Sequence, residues 1–145
     1  MPADPDRLTR YTCFRDLTED QRKAVAELAD EECFYPEYIL FKEGQSASKL
    51  FLLDSGRVEI FYNIGEGGPA CVDTVSGGDI LGCSSLLEPY IYTSTARCLT
   101  EIETLVLDAA ELRKLMLEDC SLGFSIQEQI IHMLLDRTID LRLES

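Results

Sequence analysis

Basic residues are scarce in this chain. Its 145 residues include 13 Lys and Arg against 27 Asp and Glu, a formal net charge of −14. A surface this acidic repels a phosphate backbone and an anionic bilayer, so direct binding to nucleic acid or to a membrane is not expected. The deficit is complete in the middle of the chain, where no Lys or Arg occurs between Arg57 and Arg97. Long apolar runs are missing as well. No stretch of 18 apolar residues exists to span a membrane, and the opening MPADPDRLTR has no apolar run to serve as a signal peptide. His132 is the single histidine and no Cys-x-x-Cys pair occurs, so no zinc-type metal site is expected. No Gly-x-Ser-x-Gly elbow is present, and no histidine stands near a candidate nucleophile; no catalytic residue is assigned and an enzyme is not expected. Internal repeats and low-complexity segments are absent.

What is present fits one globular domain over residues 1–145, with 46% hydrophobic and 28% charged residues. The six cysteines (Cys13, Cys33, Cys71, Cys83, Cys98 and Cys120) read as reduced thiols in a cytoplasmic setting, mostly placed as small hydrophobes. Residues 1–35 read as helical: Thr18 and Gln21 have capping-box spacing, Val25, Leu28 and Ala29 recur at helical intervals, and Glu31 and Glu32 would close the helix before Pro36. From residue 36 to 107 the pattern changes to short strands punctuated by glycine. Segments 38–42, 50–53, 57–62, 71–75, 92–99 and 102–107 are strand-like, and in 57–62 Val58, Ile60 and Tyr62 share one face. Such short, evenly spaced strands predict a β-roll, barrel or sandwich rather than βα units. Helices return at 108–145, one over 109–117 and a second after Gly123. The second carries apolar residues around more of its circumference than one contact face needs, so one side is expected to cover the domain and the other a partner. A homodimer through Ile126, Ile130, Met133, Leu134 and Leu141 follows.

The order helix, roll, helix, with Ile39-Leu40-Phe41-Lys42-Glu43-Gly44, then 50–60 (LFLLDSGRVEI), Gly78-Asp79-Ile80-Leu81-Gly82 and Leu99-Thr100-Glu101-Ile102-Glu103, resembles the cyclic-nucleotide-binding-domain family. The resemblance runs from about residue 9 to the end. It implies a mainly β fold, an eight-stranded jelly-roll-like β-roll with an N-terminal helical segment and a C-terminal dimer helix. It also implies a regulatory role in signal transduction, as in catabolite-activator-type sensors and cyclic-AMP-dependent kinase regulatory subunits. No DNA-binding segment follows the last helix, which argues against a DNA-binding regulator.

In that family a phosphate-binding cassette supplies a glutamate for the ribose and an arginine for the cyclic phosphate. Here the glutamate position is Cys83, and the arginine position falls on Tyr92 or Thr93. A buried phosphodiester without a counter-charge is costly. What the resemblance leaves at this site is Gly82, Cys83, Ser84, Ser85, Tyr92, Thr93 and Ser94, with backbone N–H groups at the start of a short helix as an anion site. Arg137 and Thr138 fall near the family's base contact on the last helix. Cys83 reads as a ligand contact, a redox-sensitive thiol or a small buried hydrophobe. Three functions stay open. One is a sensor for a neutral or weakly anionic small molecule, including a weakly held cyclic nucleotide. The second is a protein-interaction or dimerisation module without a ligand, and the third is a thiol redox sensor through Cys83.

Overall fold

Four consecutive side chains, Leu50 to Leu53, are all buried, and this fixes the architecture. Successive side chains of a strand point to opposite faces, so a strand buried at every position must be covered on both sides. The structure is a computed structural model. It describes the backbone of residues 3–63 and 69–144, and their side chains except those of 63, 69–72 and 137–144. The described strands are β1 (Ala29–Phe34), β2 (Ile39–Phe41), β3 (Lys49–Ser55), β4 (Arg57–Asn63), β5 (Pro69–Ser76), β6 (Ile80–Leu81), β7 (Thr95–Cys98) and β8 (Ile102–Asp108). The α-helices are α1 (Thr12–Arg15), α2 (Glu19–Ala26), α3 (Ala109–Glu118) and α4 (Cys120–Glu144), and 3-10 turns cover Pro5–Arg10 and Cys83–Leu86. One sheet has the order β1-β8-β3-β6 and the other β2-β7-β4-β5, with antiparallel pairing throughout.

The first sheet is the shared wall of two cores. Leu50 and Leu52 of β3, with Leu105 and Leu107 of β8, face the helices and pack with Leu8, Phe14, Val25, Leu112, Leu122 and Ile126. Phe51, Leu53 and Val106 face the opposite way and close the roll with Val58, Ile60 and Ala96 of the second sheet. The two-residue strand β6 divides in the same manner, Ile80 to the helix core and Leu81 to the roll core.

The helical expectation for residues 1–35 ends at Ala26. Thr18 caps α2 as its spacing predicts, its Oγ1 accepting from the Gln21 N–H at 3.1 Å while the Gln21 side chain accepts from the Thr18 N–H at 3.0 Å. Residues 29–34 are a strand, not the end of that helix. Four of the six side chains in β1 are exposed, so no alternation marks it. Backbone pairing holds it on β8 from Ala29↔Leu107 to Phe34↔Ile102, and the Thr104 hydroxyl donates to the Glu32 carbonyl at 2.8 Å. Glu31 therefore closes no helix and pairs with Arg7. The N-terminal 3-10 turn is tied to the roll at one point, where Arg7 and Arg10 meet the Asp54 carboxylate at 3.2 and 3.0 Å.

The last helix begins at Cys120, four residues before the expected start. Asp119 makes the corner, its N–H donating to the Leu115 carbonyl at the end of α3 and its carboxylate accepting from the Leu122 N–H at 3.1 Å. Gly123 lies inside α4 because the corner is tight: a Cβ there would sit 2.6 Å from the Met116 carbonyl oxygen. Alanine is the better helix former by about 1 kcal/mol, but the backbone overlap outweighs it. Gly123→Ala is expected to lower stability by about 1–3 kcal/mol, read as a drop of several degrees in melting temperature. An unchanged or raised melting point would show that the α3–α4 corner is loose.

Candidate functional site

The segment after β6 turns on Gly82, at φ 83° and ψ 29°. Glycine is required here on two counts. The left-handed backbone disfavours a side chain, and a Cβ would meet the Lys49 carbonyl oxygen at 2.9 Å. The turn that follows, Cys83–Leu86, is one four-residue 3-10 turn. Its Ser85 N–H donates to the Gly82 carbonyl at 3.0 Å, and the Ser85 hydroxyl donates to the same oxygen at 2.6 Å. So short a turn has at most a small helix dipole, and its Ser85 N–H is already bonded within the turn. From below, the Arg113 guanidinium donates to the Ser85 carbonyl and lies 3.9 Å from the centroid of the Tyr90 ring.

Above this turn is a cavity of about 570 Å³, within the size range of small-molecule sites. Its floor comes from the roll, with Phe41, Ile60 and Tyr62. One side is the cassette, with Gly82, Cys83 and Ser84, continued by Thr93 and Ser94 just before β7. The opposite wall is α4, with Gln127, Ile130, Ile131 and Leu134. These four fall at i, i+3, i+4 and i+7, one face of a helix. Among the described residues the lining holds no Asp, Glu, Lys, Arg or His. In a chain that is 28% charged, that is a marked exclusion.

The cations bordering this region are held elsewhere. Arg97 pairs with Glu59, its Nε donating at 3.0 Å, and stands 5.1 Å from the Phe61 ring centroid. It lines a separate groove with Lys42, Glu43 and Thr95. Arg113 is held under the cassette by Ser85 and Tyr90.

Of the residues singled out in the sequence, the structure brings Gly82, Cys83, Ser84, Thr93 and Ser94 together on this cavity. Ser85 and Tyr92 lie in the scaffold beneath it. The Tyr92 ring stacks on Phe41 at 4.1 Å, and its hydroxyl donates to the Lys49 carbonyl at 2.8 Å and accepts from the Lys49 N–H at 3.0 Å. Burial raises the phenol's pKa above 10.0. Of the two candidates for the arginine position, Thr93 faces the cavity and Tyr92 does not. Cys83 packs against the helix core beside Cys13, whose thiol burial pushes well above its ordinary range, with the nearby Cys83 adding to the shift. Cys98, deep in the roll core, is raised to about 11 by burial.

Of the expected dimer residues, Ile130 and Leu134 line the cavity, Met133 is half-buried, and Ile126 is wholly buried in the chain's own core. Ile126 thus anchors α4 to its own domain and is no partner contact. Arg137, Thr138 and Leu141 lie outside the described side chains. Sequence reasoning missed Gln127 and Ile131 as cavity wall, because an apolar helix face looks alike whether it meets a partner or a cavity. It had the signal for Ile60 and Tyr62, which share the inward face of β4.

Two antiparallel sheets closed into a roll, with helices flanking it, define a regulatory β-roll fold. The family model described as cyclic nucleotide-binding domain matches residues 31–119. A putative cyclic nucleotide-binding protein from Geobacter metallireducens GS-15 is 34% identical, with a TM-score of 0.85 over 94% of this chain and 98% of that one. The chain belongs to the cyclic nucleotide-binding domain family. The regulatory domain of Toxoplasma gondii PKA, solved with cAMP, shares the fold at TM-score 0.78 and 16% identity, over 91% of this chain and 48% of that one. The cGMP-dependent protein kinase egl-4 of Caenorhabditis elegans is 26% identical over 111 residues, 75% of this chain. The chain spans only 14% of that kinase's length.

Tyr92 gives a direct check on the division between scaffold and cavity. Tyr92→Phe keeps the ring stack and removes both hydroxyl bonds to Lys49. It is expected to cost about 1–3 kcal/mol of unfolding free energy, measured by urea denaturation. Unaltered stability would show that the hydroxyl is not part of the scaffold.

Proposed function

We propose that this chain is a non-catalytic regulatory module whose cavity has departed from the nucleotide pattern, and which reports a bound small molecule through α4. The observation that carries this reading is the shared wall. One face of α4 closes the cavity whose other side is the cassette. A molecule that fills the space touches both, so its binding energy differs between arrangements of α4, which is what a ligand-driven switch requires.

The side of α4 turned away from the helix core supports a homodimer. Phe124 and Leu135, at i and i+11, are exposed there, and Ile131 beside them, at the edge of the cavity wall, is exposed as well. Leu122 and Ile126, near the other side of the helix, are fully buried. The output in this reading is a helix surface offered to a second copy or to another protein in a cytoplasmic setting. It sediments at twice the 16.3 kDa chain mass if the pairing forms.

The departure from the nucleotide pattern can be tested by reversing it. Cys83→Glu with Thr93→Arg restores the two side chains the family places at these positions. Thr93 is exposed and Cys83 is partly so, so both changes have room. At a hundredfold over its Kd a ligand adds about 2.7 kcal/mol of stability. For a chain of this size that is roughly 5–10 °C in melting temperature. The double variant is expected to show a saturable shift of that order with cAMP or cGMP, and the unaltered chain none below millimolar concentration. A saturable micromolar response from the unaltered chain would contradict the proposal that the pocket has departed from the pattern.

A further inference from the structure

The lining of the α4 cavity points to a ligand class. We infer that it takes an uncharged, mainly apolar molecule with a hydroxyl or carbonyl group at one end, of the fatty-alcohol kind. This rests on the reading of the cavity as a ligand site, and it goes further by excluding anions.

The first argument is charge. Among the described residues the lining has no ionised side chain of either sign. A buried anion needs a paired cation or several donated hydrogen bonds. The two arginines that border the region are engaged, Arg97 with Glu59 and Arg113 with the Ser85 carbonyl. No Lys or Arg lies between residues 57 and 97 to replace them. The 3-10 turn at Cys83–Leu86 is too short to build more than a small dipole, and its Ser85 N–H is bonded to the Gly82 carbonyl. A phosphate or carboxylate would therefore meet no paired cation among the described side chains.

The second argument is the distribution of polarity. Hydroxyls of Ser84, Thr93 and Ser94 line the cassette side, the Gln127 amide and Tyr62 are the other polar side chains of the lining, and the rest of it is apolar, with Ile60, Leu86, Ile130 and Leu134. Hydroxyls donate or accept as the ligand requires and hold a neutral polar head. The apolar walls take a hydrocarbon body, which gains affinity in proportion to the area it hides from water. A sugar carries more polar atoms than so apolar a lining can pair, and a fatty alcohol carries one.

The test uses three probes with the intact chain at pH 7.5: 1-decanol, decanoate and cAMP, each titrated by displacement of the uncharged dye Nile red. Decanol and decanoate share a chain length and differ in charge, so their ratio reads the electrostatics of the site directly. Decanol is expected to displace the dye saturably and to bind at least tenfold more tightly than decanoate, with cAMP without effect. In Thr93→Arg, which adds a cation at the cavity's edge, the order should reverse. Decanoate or cAMP binding the unaltered chain as tightly as decanol would overturn the inference while leaving the module a small-molecule sensor. If none of the three displaces the dye, or the dye itself does not bind, the inference and the sensor reading fall together. An unreversed order in a folded Thr93→Arg would place the decanol site elsewhere and overturn it too.

Discussion

The structure depends on one constraint, the burial of β3 and β8 on both faces. Because Leu50 and Leu52 look one way and Phe51 and Leu53 the other, helices must cover one side of the sheet and a second sheet the other. The two cores then meet only through this sheet, and β6 lies at its edge. Ile80 belongs to one core and Leu81 to the other, and the chain turns on Gly82 directly after them. The cassette is thus carried on the seam between the cores, and α4, rooted in the helix core by Leu122 and Ile126, runs across it. A cavity under that helix follows from the architecture, whatever occupies it.

Much of this was legible in the sequence. The apolar run at 50–53, the alternation in 57–62 and the glycine punctuation gave the roll, and the resemblance gave its place among known folds. Two elements were hidden for physical reasons. β1 is an edge strand with four exposed side chains, held by backbone pairing that no side-chain pattern reports. β6 is two residues long, too short to show a period. The candidate site was half legible. The cassette residues were reached through the family resemblance, which sets Cys83 after Gly82 and the arginine position by counting back from Leu99-Thr100-Glu101. The α4 wall was read as a dimer face, since spacing alone does not say what an apolar stripe meets. The alternative positions Tyr92 and Thr93 could be told apart only once the Tyr92 hydroxyl was seen bonded to Lys49.

The electrostatics of the fold agree with this division of labour. Basic residues are few, and four of them near the roll are engaged in structure: Arg7 and Arg10 pin the N-terminal turn to Asp54, Arg97 pairs with Glu59, and Arg113 supports the cassette. Exposed pairs of this kind add little stability individually. Their effect here is one of placement, since they hold the Arg97 and Arg113 side chains at their own partners. Fold membership and the proposed ligand class rest on different observations: the fold is that of the cyclic nucleotide-binding domain family, while the proposal of a neutral ligand rests on the lining.

Amide hydrogen exchange along α4 tests the central claim most directly. The account divides the helix at residue 126, with the first part rooted in the core and the part from 127 to 134 resting on the cavity. Without ligand, protection should be high at 122–126 and fall sharply beyond. With 1-decanol saturating the cavity, protection should extend through 134 and rise at 83–86, with little change in α2. Uniform protection of α4 that does not respond to the probe would contradict the account, because the helix would then be insensitive to what lies beneath it.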